Sequence, residues 1–393
     1  MKKLFAIMVA IAALVAFTAP AMASDQPGPT FVVGGRMLTD VGYNNLSKEL
    51  TTNKKEDVTT AFVNLAGHSY LHAKFTSADK TTGGFIELGL SSKINNAEAV
   101  TLRYAYGWWK VGNCRLLAGQ DESWLGTLIH HPHQYLGLSQ SAKLLMSNWG
   151  YTYTGRHPMV RFEWKSGMFG FALAAATPGA EYVPTAPAGT DYYANMPRFD
   201  IAGYLKAGGF WTQPAFGFSQ LKLEGTASGA DNTFTQWMAV LPAKFTAGPF
   251  TAKGEIHYGQ NTDIEWDGIK PSVRSVLLNE PFVGANGKIE DSKMLGGFIA
   301  LEYKVLPVWE LTAGIGMEKV SNDAWKKAVA NGGAAYKDDN YTRKAYFVAA
   351  PYAVTKNFTI HPEFAYYDYG DNLKVGGDTG NEWLLGMQFK FVF

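Results

Sequence analysis

The sequence alternates apolar and polar residues along nearly its whole length, and this period of two constrains the fold more than any other feature. Residues 160–165, for example, read Val-Arg-Phe-Glu-Trp-Lys, and residues 198–201 read Arg-Phe-Asp-Ile. Successive side chains of a β-strand point to opposite faces, so the pattern predicts strands with one apolar and one polar face. Many of these runs suit a tilted membrane-crossing strand of about 9 to 11 residues better than a soluble strand of about 5 to 6.

The alternating segments also follow one another with a regular change in spacing. The predicted strands are residues 30–42, 58–76, 83–91, 98–110, 114–121, 157–166, 168–177, 197–207, 210–223, 234–246, 249–260, 293–305, 308–320, 341–354, 357–369 and 381–393. Short connections such as 208–209 and 247–248 alternate with long ones such as 122–156 and 261–292. A closed up-and-down barrel has tight turns on one rim and long loops on the other, whereas a β-sandwich has no reason to sort its loops in this way. We therefore predict an all-β, antiparallel, transmembrane β-barrel of about sixteen strands.

The first 23 residues have the order of a secretory signal peptide. Lys2 and Lys3 precede the apolar residues 4–17, and a small-residue site, Ala-Met-Ala, ends at Ala23. The alternative is an N-terminal membrane anchor, but residues 4–17 would span only about 21 Å of a hydrocarbon core of about 30 Å. We expect a cleaved signal peptide over 1–23 and a barrel over 24–393, with no transmembrane helix after the leader.

Composition excludes several other classes of protein. The chain is 47% hydrophobic, 14% aromatic and only 18% charged, which argues against disorder. Its 35 Lys and Arg residues balance 34 Asp and Glu residues, so no excess of positive charge favours a nucleic-acid partner. With a single cysteine, Cys114, the chain has neither an internal disulfide nor a Cys-x-x-Cys-His haem motif, and we expect no cofactor.

The last predicted strand carries three phenylalanines at every second position, Phe389, Phe391 and Phe393. An amphipathic strand that ends on Phe resembles the assembly signal of Gram-negative outer-membrane proteins, which is presented to the barrel-assembly machinery. In the alternative, a soluble edge strand, three exposed phenylalanines would favour aggregation. We expect an integral protein of the outer membrane, in contact with its lipid.

The whole mature chain resembles the sixteen-stranded general porin family. The resemblance rests on the number of strands, the alternating loop lengths, the terminal Phe393, and the segment 115–121 followed by the long loop 122–156. It implies short periplasmic turns, long extracellular loops, a third long loop folded into the pore and a homotrimer. It also implies a water-filled channel for small hydrophilic solutes and ions. The acidic Pro-Glu-Phe-Gly-Gly loop tip of enterobacterial members is absent, and the second outer loop, which latches subunits in that family, is short here.

Closing the barrel turns the polar face of each strand inward, where it lines the lumen. The candidate pore-lining and constriction residues are Arg36, Lys74, Arg103, Arg115, Asp121, Glu122, His130, His131 and His133. Residues 123–155 contain no Asp or Glu. We predict a mild anion preference that strengthens below about pH 6.5 as the loop histidines become charged. The alternative is a balanced lumen, in which the pairs Arg161 with Glu163, Arg198 with Asp200 and Lys253 with Glu255 cancel any preference.

Aromatic residues near strand ends are expected at the level of the lipid headgroups. They are Trp108, Trp109, Trp164, Trp309, Tyr366 and Trp383. The alternation in residues 100–108 further places Tyr104, Tyr106 and Trp108 on the lipid face, together with Val100 and Leu102.

Other functions fit the sequence less well. The histidines at 130, 131 and 133 lack the i, i+4 spacing of a helical zinc site, so we expect no metal site. The nucleophile motif Gly-x-Ser-x-Gly is absent, so we do not expect an enzyme. The remaining alternatives are a substrate-selective outer-membrane channel, an outer-membrane hydrolase and an adhesin whose outer loops bind a partner.

Overall fold

The computed structural model describes residues 28–51, 55–66, 68–92, 98–125, 149–178, 191–194, 196–224, 233–262, 282–283, 289–323, 326, 337–371 and 377–393. These residues form sixteen antiparallel strands, four of which are interrupted. The strands are β1 (Thr30–Leu46), β2 (Val58–Leu65 and Ser69–Thr76), β3 (Thr82–Ser92), β4 (Glu98–Val111), β5 (Cys114–Glu122), β6 (Arg156–Ser166), β7 (Phe169–Ala176), β8 (Asp191–Ala194 and Arg198–Ala207), β9 (Phe210–Thr212 and Ala215–Glu224), β10 (Thr233–Ala247), β11 (Phe250–Gln260), β12 (Lys293–Leu306), β13 (Trp309–Ser321), β14 (Asn340–Ala349 and Tyr352–Thr355), β15 (Phe358–Asp368) and β16 (Asn381–Val392). Within β2, for example, both parts pair with β1.

The barrel is closed by the pairing of its first and last strands. Arg36 of β1 lies opposite Val392 of β16, and the register continues to Leu46 opposite Glu382. Closure satisfies the backbone groups that an open sheet would expose at its edges. The predicted sixteen-stranded barrel is confirmed. β1 runs four residues beyond its predicted end because Asn44 still pairs, and its side-chain amide donates a 2.7 Å hydrogen bond to Glu382.

Most connections segregate by length between the two rims as predicted, although 77–81 and 93–97, on opposite rims, are equally long. Four of the tight turns on one rim contain a glycine in the left-handed region, Gly112, Gly167, Gly208 and Gly248, with φ of 54–58°. We call this the tight-turn rim and the opposite one the long-loop rim. The described parts of the long loops include a 3₁₀ helix, Lys48–Leu50, and a small ribbon that pairs Phe282–Val283 with Ile289–Glu290. No helix in the described ranges is long and apolar enough to cross a membrane.

The barrel is apolar outside and polar inside, the reverse of a soluble protein. On the outer face Val160 is 53% exposed and Ile256 is 56% exposed. On the inner face of the same two strands Arg161, Glu163 and Glu255 are buried. A belt of exposed aliphatic and aromatic side chains around a closed barrel is the surface that lipid requires.

A β-bulge in β4 reverses part of the predicted face assignment. Glu87 of β3 pairs with Tyr104 while Leu88 pairs with Leu102, which leaves Arg103 as an extra residue. Because a bulge shifts the alternation by one residue, Tyr104 and Trp108 point into the lumen, on the same side as Arg103. The predicted lipid-facing position of Tyr104, Tyr106 and Trp108 is therefore wrong.

The C-terminal phenylalanines lie on the outer face of β16. Phe391 and Phe393 are exposed, and the ring of Phe358 stacks on Phe391 with centroids 4.5 Å apart. The backbone of Phe393 exchanges two hydrogen bonds with Gly35 of β1, so the chain end is paired into the closed sheet.

Candidate permeation pathway

The end of the connection between β5 and β6, residues 149–155, lies inside the barrel; we call it the inserted segment. Its side chains Trp149 and Tyr151 are 2% and 1% exposed. Trp149 packs against Tyr367 of β15 with ring centroids 5.1 Å apart, and Tyr151 against Phe298 of β12 at 5.6 Å. The prediction that the third long loop enters the lumen is confirmed for these residues.

Wall carboxylates hold the backbone of the inserted segment. The amide of Gly150 donates to Glu318 Oε1 at 3.1 Å, and the amide of Thr152 donates to Glu255 Oε1 at 2.7 Å. Gly150 has φ of +112°, and a Cβ there would lie 2.1 Å from the carbonyl oxygen of Gly297. Only glycine can approach the wall this closely.

These two carboxylates also bind cationic or ionisable side chains of the same wall. Glu318 is ion-paired with Arg343 of β14, and Glu255 lies 3.0 Å from Nδ1 of His257. Charge-assisted bonds of this kind are stronger than neutral ones. The acidic residues on β11 and β13 therefore secure the inserted segment.

At its far end the inserted segment reaches the opposite wall. The hydroxyl of Tyr153 donates to Glu122 Oε1 at 3.0 Å, and the hydroxyl of Tyr104 donates to the same oxygen at 2.5 Å. Arg156 lies 3.3 Å from Glu122. Burial, and then the charge of Glu122, raises the pKa of Tyr153 well above its usual range, so the hydroxyl remains a donor.

The start of the same connection runs toward β8 and β9. Ser123 Oγ donates to Asp200 Oδ2 at 2.5 Å, and the carbonyl of Trp124 accepts a 2.9 Å hydrogen bond from Gln213. Lys165 Nζ lies 4.4 Å from the centroid of the Trp124 ring. The predicted loop residues His130, His131 and His133 lie outside the described residues.

The other predicted pore residues all belong to the inner wall of β1–β5, and most are paired. Arg103 binds Glu87 at 2.6 Å, and Arg115 binds Glu163 at 2.7 Å. Asp121 accepts from Arg161 at 2.5 Å. The pairs of Arg103 and Arg161 are largely shielded from water, whereas the side chain of Arg115 is 35% exposed.

The remaining two, Arg36 and Lys74, make different contacts. Arg36 donates to the carbonyl of His68 at 3.1 and 3.0 Å and lies 4.7 Å from the Tyr70 ring centroid. Lys74 is exposed, lies 5.8 Å from the Trp108 ring centroid, and has no acidic partner within 4 Å among the described residues. It is therefore the predicted pore cation most available to a solute.

The structure contains the charge-cancelling pairs of β6 and β8 considered above. Arg161 binds Glu163 at 2.7 Å, and Arg198 binds Asp200 at 3.0 Å. Lys253 binds Glu302 of β12 at 2.5 Å. Glu255 is bonded to the inserted segment and to His257.

Sequence reasoning missed the inserted aromatic residues and the carboxylates that bind them. Residues 149–153 read Trp-Gly-Tyr-Thr-Tyr, a strand-like alternation inside a long loop, and this pattern is the signal that could have revealed them. Arg156, at the start of β6, is a further basic residue beside the inserted segment. Among the described residues no group of three or more His, Cys, Asp or Glu side chains could hold a metal ion.

Comparison with known proteins places this architecture among the outer-membrane porin folds. No protein-family model and no curated protein sequence matches the chain. The structure is similar to the outer membrane channel DcaP of Acinetobacter baumannii, with a TM-score of 0.68 and 16% identity over 94% of this chain and 99% of that chain. It is similar to the anion-selective porin from Comamonas acidovorans, with a TM-score of 0.60 and 12% identity over 93% of this chain and 100% of that chain. It is also similar to Salmonella typhi OmpF, solved in complex with daunomycin, with a TM-score of 0.57 and 12% identity over 93% and 98%.

These identities are low, so the likeness establishes the fold and nothing finer. The chain has the closed sixteen-stranded barrel of the porins, over nearly its full length and theirs. The fold prediction and the structural comparisons agree.

Proposed function

We propose that this protein forms a water-filled channel for passive diffusion of small hydrophilic solutes and ions across the outer membrane. The observation that carries the proposal is the reversed polarity of a closed barrel, with an apolar outer face and charged side chains such as Arg161 and Glu163 on the inner face. A lipid-facing exterior and a polar interior are what a conducting barrel needs. The similarity to structures described as a channel and as porins supports it.

A mild preference for anions is part of the proposal. Lys74 faces the lumen without an acidic partner among the described residues, while Glu255 and Glu318 are bonded to the inserted segment. Fixed wall charges select ions by lowering the barrier for the opposite sign. The loop histidines His130, His131 and His133 are proposed to strengthen the preference below about pH 6.5, where imidazole becomes charged.

Bilayer recordings test both parts. Purified protein is added to a planar bilayer under a tenfold KCl gradient, and the reversal potential is measured at pH 8 and pH 6. We expect stepwise conductance and a reversal potential of the same sign as the chloride equilibrium potential. The magnitude of the reversal potential should be larger at pH 6 than at pH 8. A His130→Gln, His131→Gln, His133→Gln triple variant should lose the pH dependence. Absence of current steps would overturn the channel, and a cation preference at pH 6 would overturn the anion preference alone.

The setting of the channel is proposed on the same grounds. Residues 1–23 act as a cleaved signal peptide, the tight-turn rim faces the periplasm and the long loops face outward. Phe389, Phe391 and Phe393 present β16 to the barrel-assembly machinery, and the apolar belt contacts outer-membrane lipid. A homotrimer is the proposed assembly, as in the general porins that the chain resembles. An outer-membrane hydrolase or an adhesin remains the alternative, and neither predicts stable conductance steps.

A further inference from the structure

The inner wall of β2, β3 and β4 carries a continuous row of rings that unselective diffusion does not require. The aromatic row consists of Tyr70, His72, Phe85, Tyr104, Tyr106 and Trp108. Neighbouring ring centroids along it lie 5.6–6.4 Å apart. Every member is half-buried, so each ring contacts its neighbours and still presents surface to the lumen.

Local backbone features place these rings inside. The bulge at Arg103 turns Tyr104, Tyr106 and Trp108 inward, as described above. Gly83, opposite Trp108, leaves the space that the indole fills, because a Cβ on Gly83 would lie 2.0 Å from a carbon of that ring. The row is thus built by two specific departures from a regular barrel strand.

Cations border the row at both ends. Toward the inserted segment, Arg36 lies 4.7 Å from the centroid of Tyr70, and Arg156 lies 4.7 Å from the centroid of Tyr104. Toward the tight-turn rim, Lys74 lies 5.8 Å from the centroid of Trp108. The ammonium of Lys74 is exposed, with no acidic partner within 4 Å in the described part of the chain. Its charge is therefore available to an anion that rests on the rings.

Rings and cations together select for a particular ligand chemistry. Exposed aromatic faces and edges favour a flat apolar body, since ring pairs are stable at centroid separations of about 4.5 to 7 Å. The neighbouring ammonium favours a negative charge on that body. A neutral sugar lacks the negative charge that Lys74 attracts, and a small inorganic anion lacks the apolar surface that packs on the rings.

We propose that the aromatic row and Lys74 form a binding subsite for small aromatic carboxylates in the channel lumen. This inference rests on the proposed channel function and makes it selective. A carboxylate of this class stacks its ring along Phe85, Tyr106 and Trp108 and directs its carboxylate toward Lys74. It enters and leaves without any chemical change.

Conductance titrations of the full-length protein test the proposal with three probes: benzoate, benzyl alcohol and acetate. Benzoate should reduce the current in a saturable way, and benzyl alcohol should reduce it more weakly. Acetate should show no saturation. Tyr106→Leu should weaken the apparent affinity for benzoate about three- to tenfold, the range expected for one aromatic contact. Lys74→Gln should weaken the apparent affinity for benzoate but leave the response to benzyl alcohol unchanged. Trp109→Leu, on the outer face of the same strand, is the matched control and should match the wild type.

Several results would overturn the subsite. They are equal responses to benzoate and acetate, equal affinities for benzoate and benzyl alcohol, and an unchanged benzoate affinity in Tyr106→Leu. If Tyr106→Leu does not fold, as judged by circular dichroism, Phe85→Leu replaces it. Equilibrium dialysis of benzoate against the detergent-solubilised protein separates the two proposals. Saturable binding of benzoate without current steps would contradict the channel function and support the subsite. Current steps without benzoate binding would support the channel function and contradict the subsite.

Discussion

Two aromatic regions of the inner wall differ in what covers them. On β12, β14 and β15, Phe298, Phe347 and Tyr367 are buried, and Trp149 and Tyr151 of the inserted segment pack against this wall. On β2–β4 the aromatic row is half-buried and faces the lumen. We call these the covered wall and the open wall. The same residue types thus act as packing partners on one side and remain accessible to a solute on the other.

The charged residues of the two walls differ in the same way. On the covered side Glu255 and Glu318 accept hydrogen bonds from the backbone of the inserted segment. On the open side Arg103 is paired with Glu87, but Lys74 has no carboxylate partner among the described residues. The comparison shows that the position of one loop segment, rather than composition alone, decides which wall side chains meet the solute.

The largest expected contrast is in stability. Phe347→Ala should lower the free energy of unfolding by about 3 to 5 kcal/mol, since it opens a cavity beneath the inserted segment. Phe85→Ala should cost about 1 kcal/mol, because much of that ring already faces the lumen. Urea unfolding followed by tryptophan fluorescence measures both. Equal losses would show that the two walls are packed alike.

A smaller effect is expected where the inserted segment touches the covered wall. Gly150→Val forces a side chain against Gly297 and should cost about 1 to 3 kcal/mol, the usual range for overpacking. The displaced segment should also raise single-channel conductance. Gly112→Val is the control for placing valine at a positive φ without a clash, because Gly112 has φ of +54° and open space around it. If both variants conduct like the wild type, residues 149–155 do not narrow the pathway.

The sequence was sufficient for the barrel but not for the lumen. Alternation and loop spacing predicted the strands because lipid on one side and water on the other impose a period of two. The bulge at Arg103 was invisible because Tyr and Trp are tolerated on either face, so the pattern of residue types did not change when the direction of the side chains did. The docking of Gly150 and Thr152 depends on carboxylates from distant strands, which no local pattern encodes.

The most direct test of the difference between the two walls is reagent access from the lumen. In a Cys114→Ser background, single cysteines are introduced as Tyr106→Cys on the open wall and Phe347→Cys on the covered wall. A negatively charged methanethiosulfonate reagent is then added during bilayer recording. We expect rapid, irreversible loss of current for Tyr106→Cys and no change for Phe347→Cys. Equal modification of both, or modification of Phe347→Cys alone, would contradict an inner wall that is open on β2–β4 and covered on β12–β15.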